Sequence, residues 1–230
     1  MIKAIFFDFN GVIIDDELLQ MKAYEDVLRD HGIALTKELY FSALGMDDIT
    51  FLRSMFEQAN KPLSEAVLAA AQSKKTGLHR KMIEDQLPLF PGVVTFLKAT
   101  AREFSLGLVS MASTDEISYV LERANLTKLF SVFVMAGDVP VCKPAPDCYR
   151  SALEKLNEKL RSERLLPVLA SECLAIEDSP PGIESARGAG MRTLGITNTV
   201  SESELRAVGA DVVTPSLADW TADAVKLVYQ

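Results

Sequence analysis

Polar side chains gather at four places in the sequence where strand-like apolar runs end. They are Asp8 and Asn10 after AIFF, Ser110 at the end of SLGLVS, Lys143 in VCKPAPDCY, and Glu177 and Asp178 in CLAIED. Carboxylates such as those of Asp8, Glu177 and Asp178, together with backbone carbonyls, are the ligands that a hard, oxygen-seeking cation such as Mg²⁺ prefers. The first chemistry that these residue types indicate is therefore a magnesium site.

The other polar groups suit a phosphoryl group. The Ser110 hydroxyl, the backbone N–H groups of the turn that begins at Met111, and the Lys143 ammonium can all donate hydrogen bonds to phosphoryl oxygens. A carboxylate held beside them, such as Asp8, can attack phosphorus and form an aspartyl-phosphate. Each group alone has an ordinary explanation as a helix cap, a turn residue or a solvated lysine. Their combination, in order and at successive strand ends, indicates a site that handles phosphate.

The elements that would position these groups alternate between strand and helix. Short apolar runs predict strands, which lie at 3–7, 105–110, 131–136, 173–177 and 191–196. Helical patterns follow them, and one opens with a capping-box sequence from Ser113 to Glu116. Such alternation predicts a parallel sheet with helices on both faces, and ligands bind such sheets at the carboxyl ends of the strands.

One long helical stretch interrupts this alternation directly after the first strand. Residues 16–87 show helical spacing of apolar residues, with breaks near Gly45 and at 60–62. We therefore predict an α/β protein with a doubly wound, parallel-sheet core made of residues 1–15 and 88–230. Residues 16–87 would form an inserted all-helical cap domain.

The composition limits the kinds of molecule that the protein is expected to bind. The 230 residues carry a formal net charge of −8, and an acidic chain repels polyphosphate backbones, so we expect no nucleic-acid partner. No apolar run approaches the ~20 residues that a membrane span needs, and the N-terminus does not resemble a signal peptide. Three cysteines without a framework spacing suggest reduced thiols in a cytoplasmic protein. We expect a monomer or a weak homodimer that acts on a small molecule.

The order of the motifs resembles that of the haloacid dehalogenase superfamily. The matching segments are Asp8-x-Asn10-Gly11-Val12-x-x-Asp15, then Ser110, then KPAPDCY (143–149), then EDSPPGIESARGAGM (177–191). The likeness is greatest to members with a helical cap after the first strand, which include β-phosphoglucomutases and many phosphatases of small metabolites. The resemblance covers essentially the whole chain and implies a Rossmann-like core.

The resemblance also implies roles for individual residues. Asp8 would be the nucleophile. Mg²⁺ would be held by Asp8, the backbone carbonyl of Asn10 and Asp178, helped by Glu177. The transferring phosphoryl group would be bound by Ser110, Met111 and Lys143. The substrate would be a small phosphate monoester such as a sugar phosphate.

Asn10 departs from the pattern of the superfamily's phosphatases and mutases. These enzymes carry an aspartate there, which protonates the leaving oxygen and later activates water. An amide does not titrate, and general acid–base catalysis typically contributes about 10²–10⁴-fold. We expect a weak phosphatase that acts best on leaving groups that need no proton. Three alternatives stay open: a catalytically silent protein that binds a phosphorylated ligand or a protein partner, an engineered acid/base-inactivated variant of an active phosphatase, and another reaction of the superfamily.

The cap sequence carries further departures. Asp48 stands where the mutases place an arginine that grips a distal phosphate and where phosphonoacetaldehyde hydrolases carry a catalytic lysine. Gln20 stands where the mutases have a histidine, so a mutase is disfavoured. Dehalogenases use no metal, so the acidic pair Glu177-Asp178 argues against that class. Lys75 falls near a substrate lysine of the mutases and is a candidate phosphate contact, the alternative being a solvated helix face. We expect Asp47-Asp48 to cap a helix N-terminus, the alternative being a contact with sugar hydroxyls, and we expect His79 to face solvent.

Overall fold

A computed structural model describes all 230 residues and contains one six-stranded sheet. Its strands are β1 (Ala4–Phe7), β2 (Ser105–Val109), β3 (Val132–Val134), β4 (Cys173–Glu177), β5 (Arg192–Ile196) and β6 (Val212–Thr214). All neighbouring strands are parallel, and their order is β3-β2-β1-β4-β5-β6. This is a doubly wound order, in which the chain moves outwards in both directions from β1. The predicted fold class is confirmed.

Ten helices accompany the sheet. They are α1 (Glu17–Arg29), α2 (Lys37–Ser42), α3 (Asp48–Gln58), α4 (Glu65–Met82), α5 (Val93–Thr100), α6 (Thr114–Arg123), α7 (Asp147–Ser162), α8 (Pro180–Gly188), α9 (Glu202–Ala207) and α10 (Ala222–Val228). No helix combines the length and the apolar character that crossing a membrane would require.

Alternate residues of the strands pack against helices on opposite faces of the sheet. On β1, Ile5 and Phe7 join the apolar cluster that includes residues of α5, α6 and α10, whereas Ala4 and Phe6 join the cluster that includes residues of α7 and α8. Because both faces are covered, β1 is apolar at every position, as is typical of a central strand in a parallel sheet. The first polar residue after it, Asp8, therefore marks the edge of the sheet.

Helices α1 to α4 build an apolar cluster of their own. Its twelve buried members all lie between residues 24 and 71, and they include Tyr24, Phe51 and Leu68. The two connections to the sheet run side by side, since the backbone N of Asp15 donates to the carbonyl of Pro88 at 2.7 Å. These features agree with an inserted cap, while the boundaries at residues 15 and 88 stay a prediction.

The predicted capping box of α6 is only half formed. The Ser113 hydroxyl accepts a hydrogen bond from the backbone N of Glu116 at 3.4 Å, which caps the helix. The Glu116 carboxylate does not return to Ser113, because it pairs with Lys75 of α4 instead. A residue whose local pattern predicts a cap thus joins the sheet domain to the helices α1 to α4.

Candidate functional site

A pocket lies at the carboxyl ends of the central strands, between the sheet and helices α1 to α4. About 690 Å³ of space without protein atoms, part of it open to solvent, lies within this pocket. Seven of the eight residues that the sequence analysis assigned to the metal and phosphate sites line it, namely Asp8, Asn10, Lys75, Ser110, Met111, Lys143 and Asp178. The eighth, Glu177, is fully buried beside it. The register explains the convergence, because Phe7 is paired with both Leu108 and Ile176, so that the residues following all three strands meet at one edge.

Three carboxylates are packed together at this edge. Asp8, Glu177 and Asp178 each offer an oxygen, and these oxygens lie within 4.8 Å of one another. Burial, and then repulsion from Asp8, raises the pKa of Glu177 and of Asp178 well above the usual range. Glu177 Oε2 is buried and has no hydrogen-bond partner. A divalent cation bound here would reduce the repulsion between the carboxylates and would give the unpaired oxygen a partner. The donor set therefore fits Mg²⁺.

Two glycines make room for these carboxylates. A Cβ atom on Gly11 would lie 1.8 Å from Asp178 Oδ2, and one on Gly182 would lie 1.9 Å from Glu177 Oε2. Gly11 also has φ +72°, a left-handed conformation that residues with a side chain rarely adopt. The backbone thus forms a close cradle around the acidic cluster that a methyl group at either position would fill.

Lys143 connects the nucleophile candidate with the acidic cluster. Its Nζ atom is 3.1 Å from Asp8 Oδ1 and 2.6 Å from Glu177 Oε1. Burial alone would lower the pKa of Lys143, but the carboxylates of Asp8 and Glu177 raise it above its ordinary value. The side chain is therefore a fixed ammonium beside Asp8. Tyr149, which the sequence analysis missed, donates its hydroxyl to Glu177 Oε1 at 2.5 Å and helps to hold that carboxylate.

Ser110 lies in the turn at the end of β2. Its hydroxyl oxygen accepts a hydrogen bond from the backbone N of Ala112 at 3.0 Å, and its own backbone N donates to Val134. Both Ser110 and Met111 line the pocket. The hydroxyl hydrogen of Ser110 has no protein acceptor among the described bonds, so it is free to donate to a ligand oxygen.

The Asn10 side chain makes a contact that the sequence analysis did not foresee. Its amide Nδ2 donates to both carboxylate oxygens of Asp16, at 2.9 and 3.0 Å. Asp16 is only 1% exposed, and its Oδ2 also lies 2.8 Å from His79 Nε2 and 3.1 Å from Gln20 Nε2. His79 is likewise 1% exposed, so the expectation that it faces solvent is wrong. The His79 ring is buried because α4 packs along α1 and turns this face inwards.

Lys75 is one helical turn before His79 on the same face of α4. It is 2% exposed, and its Nζ atom lies 2.8 Å from Asp48 Oδ1 and 3.0 Å from Glu116 Oε1. The alternative of a solvated helix face is therefore wrong. Asp48 also accepts a hydrogen bond from the Tyr24 hydroxyl. A spacing of four residues places Lys75 and His79 on the same face of the helix. Because both side chains are polar, that spacing alone did not identify the face as buried.

The expectation for Asp47 and Asp48 holds for the first residue only. Asp47 caps α3, accepting a hydrogen bond from the backbone N of Thr50 at 2.7 Å. Asp48 is buried and lines the pocket.

Glu17 is another pocket residue that the sequence analysis missed. It accepts a hydrogen bond from the Tyr40 hydroxyl at 2.7 Å. Burial, together with the nearby Asp16, raises the pKa of Glu17 to about 7. Glu17 adds a further carboxyl group to a pocket that already contains several.

Comparisons with known proteins agree with this architecture. The family model for the haloacid dehalogenase-like hydrolases matches residues 2–190. The chain is 27% identical to a phosphorylated carbohydrates phosphatase of Thermotoga maritima, over 93% of this chain and 94% of that protein. It is 28% identical to hexitol phosphatase B of Escherichia coli, over 96% of this chain and 95% of that protein.

A solved structure shares the fold over the full length of the chain. The β-phosphoglucomutase of Clostridium difficile superposes with a TM-score of 0.85 at 24% identity, covering 100% of this chain and 97% of that one. Similarity at this identity concerns the fold alone. The family model, which matches most of the chain, settles the family. This chain belongs to the haloacid dehalogenase-like hydrolases.

Proposed function

We propose that this protein is a Mg²⁺-dependent phosphatase that hydrolyses a small phosphate monoester through an aspartyl-phosphate on Asp8. The observation that carries the proposal is the position of Asp8. Its carboxylate lies 3.1 Å from the Lys143 ammonium and belongs to the acidic cluster with Glu177 and Asp178. A carboxylate between a fixed cation and a cation-binding cluster is suited to attack a phosphoryl group, whose negative charge those cations would offset.

The residues for the metal are those of the acidic cluster. Asp8, Asp178 and the backbone carbonyl of Asn10 would hold Mg²⁺. Glu177, whose carboxylate lies next to theirs, would add negative charge to the site. When bound, the ion would offset the negative charge of the phosphoryl oxygens. The proposal is supported by the unpaired Glu177 Oε2 and by the glycine cradle at Gly11 and Gly182, which keeps the carboxylates close together.

The reaction would proceed in two steps. In the first, an Asp8 oxygen forms a bond to phosphorus while the ester P–O bond breaks and the leaving oxygen keeps the electron pair. Lys143, the Ser110 hydroxyl and the backbone N–H of Met111 would stabilise the charge on the phosphoryl oxygens. In the second step, water attacks phosphorus and restores the Asp8 carboxylate. One water molecule thus supplies both the hydroxyl of inorganic phosphate and the proton of the alcohol.

Asn10 would limit the rate of this hydrolysis. Its amide cannot give a proton to the leaving oxygen, and it is engaged by Asp16 at 2.9 and 3.0 Å. Substrates whose leaving group needs no proton, such as acyl and aryl phosphates, should therefore be hydrolysed faster than alkyl phosphates. The names of the relatives, which are phosphatases of phosphorylated carbohydrates and of hexitol phosphates, support a sugar phosphate or polyol phosphate as the natural substrate class.

The test is hydrolysis of acetyl phosphate and p-nitrophenyl phosphate in the presence of Mg²⁺. We expect turnover of both compounds by the parent protein and none above background by Asp8→Asn. The matched control is Asp15→Asn, because Asp15 is an exposed aspartate of the same segment, and this variant should keep parental activity. If the parent does not exceed Asp8→Asn on either compound, the phosphatase proposal fails and the catalytically silent binding protein becomes the better description.

A further inference from the structure

We infer that the pocket selects a substrate with a single phosphate and a hydroxyl-bearing remainder, and that its cap side excludes a second phosphate. The inference rests on the proposed function, because it assumes that the phosphate of the substrate binds at Asp8. The cap side is defined here as the pocket residues Glu17, Gln20, Asp48, Lys75 and Glu116. Three features of these residues carry the inference: their charge, their unpaired acceptors and their rigid support.

The pocket has no free cation for a second phosphate. Its lining contains five acidic residues and two lysines. Lys143 already pairs with Asp8 and Glu177, and on the cap side Lys75 already pairs with Asp48 and Glu116. A phosphate dianion on the cap side would meet an excess of carboxylates, and like charges brought together in a partly buried site repel strongly. The charge distribution therefore acts against bisphosphates.

The cap side offers hydrogen-bond acceptors that lack a donor. Gln20 Oε1 and Asp48 Oδ2 are buried without a hydrogen-bond partner, and each residue is 5% exposed. Buried acceptors are normally paired, so a ligand that donates hydrogen bonds would gain from binding beside them. Hydroxyl groups can donate to these oxygens. A phosphate dianion cannot, because it has only acceptors.

Asp48 lines the pocket and is held in one position there. Its Oδ1 atom is bonded by Lys75 at 2.8 Å and by the Tyr24 hydroxyl, while its Oδ2 atom is left over. The Lys75 ammonium also lies 4.8 Å from the centre of the Tyr24 ring, which restricts both side chains. An acceptor fixed in this way discriminates between ligands better than a mobile one, because it cannot turn away from an unsuitable group.

Three six-carbon phosphates test the inference directly. They are a hexitol monophosphate, n-hexyl phosphate, which has no hydroxyls, and the hexitol 1,6-bisphosphate. Each is used with Mg²⁺ as a competitor of p-nitrophenyl phosphate hydrolysis, measured from initial rates. We expect the hexitol monophosphate to inhibit with a constant at least about tenfold lower than either of the other two. Equal or tighter inhibition by the bisphosphate, or by n-hexyl phosphate, would overturn the inference.

A pair of neighbouring variants locates the effect. Asp48→Asn removes the buried charge, and it should reduce the preference for the monophosphate over the bisphosphate at least about threefold. Asp47→Asn removes the adjacent, half-buried charge but retains a residue that caps helices well, so its preference should equal that of the parent. The same loss of preference in both variants, or in neither, would contradict the role of Asp48. If Asp48→Asn does not fold, Gln20→Leu serves instead, and the advantage of hexitol phosphate over n-hexyl phosphate should then shrink.

The outcomes separate this inference from the proposed function. Hydrolysis of p-nitrophenyl phosphate with a preference for the bisphosphate would leave the phosphatase proposal intact and overturn the selectivity. If no phosphate is hydrolysed, the proposed function fails, and thermal stabilisation of the protein by the same three compounds decides the selectivity. Stabilisation by the hexitol monophosphate alone would then support it for a binding protein, and any other order would reject it.

Discussion

Replacing Asn10 with aspartate would bring two carboxylates into contact. The Asn10 amide now donates to both oxygens of Asp16, at 2.9 and 3.0 Å. In the Asn10→Asp variant that donor is lost, and a second negative charge stands in its place. Asp16 has little room to move away, because its carboxylate is 1% exposed and is also held by His79 and Gln20. We therefore expect this variant to be less stable than the parent.

The size of the effect follows from the distance and the environment. Two like charges about 4 Å apart repel by about 4 kcal/mol at an effective dielectric constant of about 20. Small movements and the half-exposed position of residue 10 reduce this, so we expect a loss of about 2–4 kcal/mol in the free energy of unfolding at pH 8. For a chain of this size, that corresponds to a fall in Tm of about 4–16 °C.

Exchanging the two residues should remove the repulsion. In the double variant Asn10→Asp/Asp16→Asn, the amide of residue 16 can donate to the carboxylate of residue 10, which reverses the direction of the present hydrogen bond. We expect most of the stability lost in Asn10→Asp to return. Because position 10 would then carry a group that can transfer a proton, hydrolysis of alkyl phosphates should rise by up to about 10²–10⁴-fold. Acetyl phosphate, whose leaving group needs no proton, should change little.

A double-mutant cycle provides the measurement. The parent, both single variants and the double variant are unfolded with urea at pH 8, and the coupling energy between positions 10 and 16 is calculated. Asn60→Asp is the control, because it introduces the same charge at an exposed position. A parental stability for Asn10→Asp, or a coupling energy near zero, would refute the reasoning. The kinetic part is refuted if the double variant gains as much on acetyl phosphate as on alkyl phosphates.

Three further predictions concern pH, metal and backbone. Burial and Asp16 raise the pKa of Glu17 to about 7, so the folded state holds this proton more tightly than the unfolded state. The free energy of unfolding should therefore fall as the pH rises from about 4.5 to about 7, and Glu17→Gln should remove this part of the fall in urea titrations across that range. Mg²⁺ at a hundred times its Kd should stabilise the parent by about 2.7 kcal/mol, and a thermal shift of the same size in Asp178→Asn would count against the metal site. Gly182→Ala should abolish that shift, because its Cβ would lie 1.9 Å from Glu177 Oε2. Gly77→Ala is the matched control, since its Cβ would meet no atom within 4 Å, and it should leave the shift intact while adding up to about 1 kcal/mol of stability.

Much of the sheet and of its polar edge could be predicted from local patterns. Apolar runs of four to six residues predict buried strands, and their alternation with helical patterns predicts a parallel sheet. In such a sheet the carboxyl ends of the strands share one edge, so Asp8, Ser110 and Asp178 had to meet once the strands were identified. The fold class and the composition of this edge were thus accessible without any knowledge of side-chain contacts. The exact boundaries of the cap were not, and they stay a prediction.

The cap side of the pocket was decided by the tertiary structure. Lys75 and Glu116 are separated by 41 positions in the chain, and His79 and Asp16 by 63, so no local pattern connects them. Charged residues on a helix usually face solvent, and the sequence of α4 is compatible with that arrangement. Lys75 and His79 are buried only because α4 packs against α1 and the charged face of α4 packs against α6. Burying a charged group is costly unless it is paired, so each of these side chains contacts a carboxylate. The sequence by itself therefore determined where a phosphate would be handled, because strand ends converge by geometry. The charges that meet the rest of a substrate were determined only when distant helices packed together, because ion pairs between distant elements leave no periodic signal in the chain.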